Sequence, residues 1–116
     1  MPTFRRGDVV KVPFPYTDRA TRQRRPALVV SGSDLEAEHS LVWVVMITSA
    51  ENRSRPGDLP ITDFQAAGLS VPSVIRTAKI ATLDARDAER IGKIAPRLRL
   101  DVGARLAHEI GIGLPS

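Results

Sequence analysis

The chain has 116 residues, 42% hydrophobic and 26% charged, with a net charge of +4 at neutral pH. That suits one domain with a single modest core, taken as residues 1–116. Without cysteine it can hold neither a disulfide framework nor a thiolate metal site, and His39 and His108 stand alone, so no metal site and no cofactor are expected. Met1-Pro2-Thr3-Phe4-Arg5-Arg6 lacks the apolar core of a signal peptide. No apolar run approaches the roughly 20 residues that cross a bilayer, so a cytosolic protein with no membrane partner is expected.

Gly7 leads into a valine-rich segment, and Asp8 to Val12 reads as a first strand. Pro13 and Pro15 then force extended or turn geometry around Phe14 and Tyr16. Thr17 to Arg24 has no apolar pattern and reads as a polar, basic loop. The next strand is Pro26 to Ser31, with Ala27 to Val30 buried, because β-branched valines fit a pleated surface. Proline has no N–H to give a ladder, so Pro26 is placed at the strand's first position. Arg25 then stands where a loop becomes a rigid strand, a place where a fixed cation still reaches solvent.

Charge gathers at the same place. Residues 1–30 carry seven cations, six of them Arg, against Asp8 and Asp18, for a local charge of +5; the remainder carries ten cations against eleven carboxylates. Charge runs are usually solvated surface. An arginine cluster beside a strand start points instead to an anionic partner, because guanidinium binds phosphate through two donors at once and stacks on bases.

Gly32-Ser33-Asp34 is turn chemistry, and Leu35 to His39 reads as a short acidic loop. Leu41 to Ser49 is the strongest strand, apolar throughout and therefore expected to be buried on both faces, with Trp43 in the core and hydroxyls Thr48 and Ser49 at its end. A polar loop with Arg53 and Arg55 follows. Asp58 to Ile61 reads as an edge strand because of Pro60, and Thr62 to Gly68 as one helical turn. Ser73 to Leu83 is another strand, with Val74, Arg76, Ala78 and Ile80 on one face by simple alternation. Asp84 to Arg90 is a turn or short helix, and Ile91 to Ile94 a brief strand. Leu98, Val102, Leu106 and Ile110 recur at i+4 and predict a closing helix over 98–110, ended by Gly111. Five or six short strands and one helix make a mainly β domain, a small antiparallel barrel or sandwich.

The phosphate loop, the His-Glu-x-x-His zinc motif and the Gly-x-Ser-x-Gly elbow are all absent. An enzyme built from what remains would work with arginine, hydroxyls and an occasional carboxylate. That set suits metal-free chemistry on RNA, where arginine neutralises charge growing on the phosphorane and the substrate's own 2′-OH is the nucleophile.

Gly7-Asp8-Val9-Val10 with Val12-Pro13-Phe14-Pro15, then Arg24 to Ser31, then Ile47-Thr48-Ser49, resembles the MazF/PemK family of toxins from bacterial toxin–antitoxin pairs. The likeness continues through Gly57 to Ile61, Gly68-Leu69, Ser73 to Arg76, Thr82-Leu83-Asp84, Ile91 to Ile94 and the closing helix. It implies a small, SH3-like, dimeric antiparallel β-barrel with a C-terminal α-helix. It also implies sequence-selective cleavage of single-stranded RNA (messenger, transfer or ribosomal) without metal, leaving a 2′,3′-cyclic phosphate and a 5′-OH. The partners implied are a neutralising cognate antitoxin and a second copy of the chain, with DNA met only through the toxin–antitoxin complex.

By motif, Arg25 matches the catalytic arginine before the family's proline, Thr48 the hydroxyl ending the long strand, and Arg76 a basic residue that some members use near the scissile phosphate. Phe14, Tyr16, Thr17, Arg19, Arg22, Arg24, Ser49, Arg53 and Arg55 are the candidate RNA contacts. Some members carry an acid where this chain has Ala78, and some a first-loop histidine that Thr17 to Arg24 lacks, so the general base stays open between Arg25 and another group. The plainer alternatives are that Arg25 caps a strand or pairs with Asp18, that Thr48 is an ordinary strand residue, and that Phe14 packs in the core. Two other functions fit the same barrel: a non-catalytic toxin that binds a protein such as DNA gyrase, and a nucleic-acid-binding module without catalysis.

Overall fold

The computed structural model describes residues 3–13, 24–52 and 55–112. Six strands run as β1 (Asp8–Pro13), β2 (Arg24–Val29), β3 (Leu41–Ser49), β4 (Leu59–Ile61), β5 (Ser73–Asp84) and β6 (Glu89–Lys93). Two helices, α1 (Ser33–His39) and α2 (Pro96–Ile110), flank β3 and close the chain. The strands form one antiparallel sheet in the order β4-β5-β3-β2-β1-β6, curled into a half-barrel.

Alternating side chains give this sheet two apolar faces. On the first, Val10, Val12, Ala27, Val29, Val42 and Val44 pack with Phe4, Leu83 and Ala85. On the second, Val9, Leu28, Val45, Ile47 and Ile75 pack beneath α2, which contributes Val102 with Leu98 and Leu106 beside it. Pro96 opens α2, where its missing N–H costs nothing, and Gly111 ends it at φ +90°. The turn through Gly68 lies hard against β6. A Cβ on Gly68 would stand 2.1 Å from the Ile91 carbonyl oxygen, and one on Gly92 2.3 Å from the Ala67 carbonyl carbon.

Several elements depart from the sequence reading. Strand β2 begins at Arg24, so Pro26 is its third residue, opposite Lys11, and both arginines belong to the strand. Leu35 to His39 lies within α1 rather than in a loop: Ser40, at φ 59°, closes the helix through its N–H to the Glu36 carbonyl. The Glu36 carboxylate also receives the N–H groups of Thr3 and Phe4, tying the helix to the start of the chain.

Strand β3 is buried on both faces only in part, because Trp43 is 45% exposed beyond the reach of α2. Simple alternation fails in β5. Met46 pairs with Arg76 but Val45 pairs with Ile80, so three residues bulge out between them. An odd insertion inverts the facing of every later residue. Arg76 therefore shares the first face with Met46, while Ile80 emerges on the second, 52% exposed. Of the predicted helical stripe, Leu98, Val102 and Leu106 pack inward and Ile110 does not.

Candidate phosphate-binding site

The β2–β3 ladder pairs Ala27 with Met46. The ladder ends there; Arg25 and Thr48 lie two residues further along their strands, both on the first face. Thr48 pairs with Val74, and Arg25 with Val12, so each polar residue has an apolar neighbour on its laddered side. Both are half-buried. The next row carries Ala27, Met46 and Arg76. One end of one sheet face thus gathers all three residues singled out as catalytic. Both the β1–β2 and the β3–β4 connections leave from this end. Phe14, Tyr16, Thr17, Arg19, Arg22 and Arg53 belong to those connections and lie outside the described residues.

The cations of this region are not equivalent. Arg24 faces away from Arg25 by alternation, and its Nη2 donates to the carbonyls of Lys11 and Asp87, fastening β1 to the turn before β6. Arg76 is buried, and its Nε and Nη2 donate to the two carboxylate oxygens of Asp58 at 3.2 and 2.8 Å. Arg25, among the described residues, makes no side-chain hydrogen bond or ion pair. It is the guanidinium of the three whose charge is not answered by protein groups described here.

Asp58 was not a candidate from the sequence. It closes a turn in which Pro56 and Gly57, at φ +89°, occupy the middle, and its N–H meets the Arg55 carbonyl at 3.0 Å. Proline then glycine at these positions is the signature of a type II turn. The carboxylate also accepts the Arg55 N–H, so one side chain holds both the turn and Arg76. Burial alone would raise the Asp58 carboxyl. The hydrogen bonds from Arg76 and the Arg55 N–H, with the nearby positive charge, outweigh it and leave the group below the usual carboxylate range. The bond to Asp58 likewise raises Arg76 against the opposing effect of burial.

A carboxyl lowered on folding contributes stability above its unfolded value, near pH 4, and loses it as pH falls through the folded value. Thermal melts from pH 7 down to pH 3 are expected to change little until about pH 4 and then to fall, with a shallower acid fall for Asp58→Asn. Parallel curves for the two proteins would contradict this.

Ser49 supports the end of β3 rather than facing the row: its hydroxyl accepts the Glu51 N–H at 3.2 Å and its carbonyl the Asn52 N–H at 3.0 Å. Asn52, which the sequence did not single out, donates its side-chain Nδ2 to Thr48 Oγ1. Arg55 is exposed beside the turn. A separate cleft of about 600 Å³ lies at the opposite end of β3, lined by Thr3, Phe4, Glu36 and Asp84. Glu36 and Asp84 have the wrong sign for phosphate, and the Arg86 that also lines the cleft is paired with Asp84. Trp43 is also remote, five residues along β3 from Thr48 and on the other face. Among the described residues no three His, Cys, Asp or Glu side chains cluster as metal ligands, and no helix is long and apolar enough to cross a membrane.

The chain is thus a small curled antiparallel half-barrel with a closing helix, carrying an arginine and a hydroxyl on one sheet face at one end. Residues 5–110 match the PemK-like, MazF-like toxins of type II toxin–antitoxin systems, and the chain belongs to that family. Solved structures agree on the fold. The MazE–MazF complex from Deinococcus radiodurans is 22% identical with a TM-score of 0.74, covering 94% of this chain and 96% of that one. MazF alone from the same organism is 24% identical with a TM-score of 0.73, over 92% and 96%. An endoribonuclease in complex with its cognate antitoxin, from a mycobacterial species, is 20% identical with a TM-score of 0.73, over 99% and 100%. No curated protein sequence matches the chain.

Proposed function

We propose that this toxin is a sequence-selective endoribonuclease that cuts single-stranded RNA without a metal ion and is held inactive by a cognate antitoxin. The observation that carries the reading is Arg25: a guanidinium set on a strand by its ladder to Val12, half-exposed, on the same sheet face as the Thr48 hydroxyl, and with no partner among the described residues. A site of this kind stabilises charge on a phosphate where that charge develops.

In the proposed reaction the RNA 2′-oxygen attacks the adjacent phosphorus, giving up its proton to a base. The bond from phosphorus to the 5′-oxygen breaks, and that oxygen is protonated. The upstream fragment keeps a 2′,3′-cyclic phosphate and the downstream fragment begins with a 5′-OH. Arg25 neutralises the equatorial oxygens, and Thr48 donates to one of them. The charge of Arg76 is already answered by Asp58, so its part is to hold the floor of the site in place rather than to supply the main counter-charge.

Two solved relatives are complexes with an antitoxin, which supports an antitoxin partner here. The homodimer is part of the same reading, and sedimentation at micromolar concentration tests it, a monomer contradicting it. Incubation with a long RNA in excess EDTA, followed by mapping of the ends, tests the reading. Cuts at a recurring short sequence with cyclic or 3′-phosphate and 5′-OH ends are expected. RNA that is bound and left intact would favour the binding module instead.

A further inference from the structure

The proton of the Thr48 hydroxyl has to point at the substrate for the residue to hold a phosphate oxygen, and one side-chain contact bears on its direction. A threonine hydroxyl has one proton to donate and two lone pairs to accept with. Asn52 Nδ2 donates to Thr48 Oγ1 at 2.5 Å, which fills a lone pair and directs the proton away from Asn52. Thr48 donates to no other group among the described residues.

The backbone places Asn52 for this purpose. The chain leaves β3 in a tight turn in which Ser49 Oγ takes the Glu51 N–H and the Ser49 carbonyl takes the Asn52 N–H. The Ala50 N–H is meanwhile tied to the Pro72 carbonyl at 2.9 Å, just before β5. The turn therefore folds residue 52 back over residue 48, four positions earlier.

We infer that Asn52 is a positioning residue for the proposed RNA cleavage: its side-chain amide donates to Thr48 and so frees the Thr48 proton for a non-bridging phosphate oxygen. The inference rests on the endoribonuclease reading for its function, but the hydrogen bond itself stands apart from it. The chemistry makes a distinctive demand. An alanine at 52 leaves the hydroxyl free to rotate, whereas an aspartate is an acceptor only. It would draw the Thr48 proton to itself and set a negative charge near the phosphate.

Two measurements test this. In the first, RNA cleavage is compared for Asn52→Ala and Asn52→Asp. Asn52→Ala is expected to lower kcat about fivefold, the scale of one neutral hydrogen bond, and Asn52→Asp about 50-fold, the scale of one to a charged group. KM should move less than about twofold for Asn52→Ala, since binding is not the step that needs the proton. In a Thr48→Ala background the Asn52→Ala change should have no further effect. A purely structural asparagine would give the same Asn52→Ala loss with and without Thr48, and that result overturns the inference, as would an Asn52→Asp loss no larger than that of Asn52→Ala.

The second measurement needs no cleavage. The Asn52 side-chain NH2 resonances should shift in Thr48→Val, which keeps the shape and removes the acceptor. Unmoved resonances would overturn the hydrogen bond itself. A wild-type protein that leaves RNA intact while those resonances do shift would overturn the nuclease reading and the catalytic purpose of Asn52 together, leaving only the contact.

Discussion

Arg25→Ala is expected to cut RNA about 100- to 1000-fold more slowly than the wild type while folding normally, the usual cost of removing one donor aimed at developing charge. The expectation follows from its surroundings. Arg24 is spent on backbone carbonyls and Arg76 on Asp58, so neither can take over the lost counter-charge. Arg25 makes no side-chain hydrogen bond or ion pair among the described residues, so its removal leaves no buried group stranded there. Single-turnover cleavage beside a thermal melt checks both halves. An unchanged rate would remove Arg25 from the chemistry, and a large drop in melting temperature would make it structural.

Asp58→Ala should show the opposite signature, a loss of stability first. It leaves the Arg76 guanidinium buried, with its bidentate acceptor gone, and unties the Arg55 N–H. Removing one member of a buried ion pair costs about 3 kcal/mol or somewhat more. For a domain this size that lowers the melting temperature on the order of 10 °C. Replacing both residues with apolar side chains, Asp58→Leu with Arg76→Met, should recover much of the loss, since an apolar pair of similar volume often matches a buried ion pair. A melting temperature unchanged in Asp58→Ala would show that the pair is dispensable.

The main strands were legible because their signals are local. β3 runs over the predicted Leu41 to Ser49, a continuous apolar run rich in β-branched residues that ends in two hydroxyls. Pro60 marked β4 as the sheet edge, and Gly111 marked the end of α2. The misses come from longer-range causes. α1 is held by the Glu36 carboxylate on Thr3 and Phe4, more than thirty residues away in sequence. The bulge in β5 is set by the partner strand, so alternation read from the sequence put Arg76 and Ile80 on one face when the fold separates them. Trp43 read as core because apolar runs are usually covered, but α2 stops short of it.

The candidate site divides in the same way. Arg25 stood out as a candidate from its place at a strand start and Thr48 only through the family resemblance; both lie on the first face of the sheet. The support beneath them was not readable. Asp58 and Asn52 are ordinary turn residues in the sequence, and only the folded chain shows that one holds Arg76 and the other Thr48.

Two oligonucleotides test the central claim most directly: one all-ribose across the mapped cut site, the other carrying a single 2′-deoxy sugar on the 5′ side of the scissile phosphate. The account predicts that the first is cut in excess EDTA to a cyclic phosphate and a 5′-OH, and that the second binds comparably and stays whole, because its nucleophile has been removed. Cleavage of the deoxy substrate at the ribose rate would contradict the mechanism, since the attacking oxygen would then have to come from somewhere other than the RNA itself.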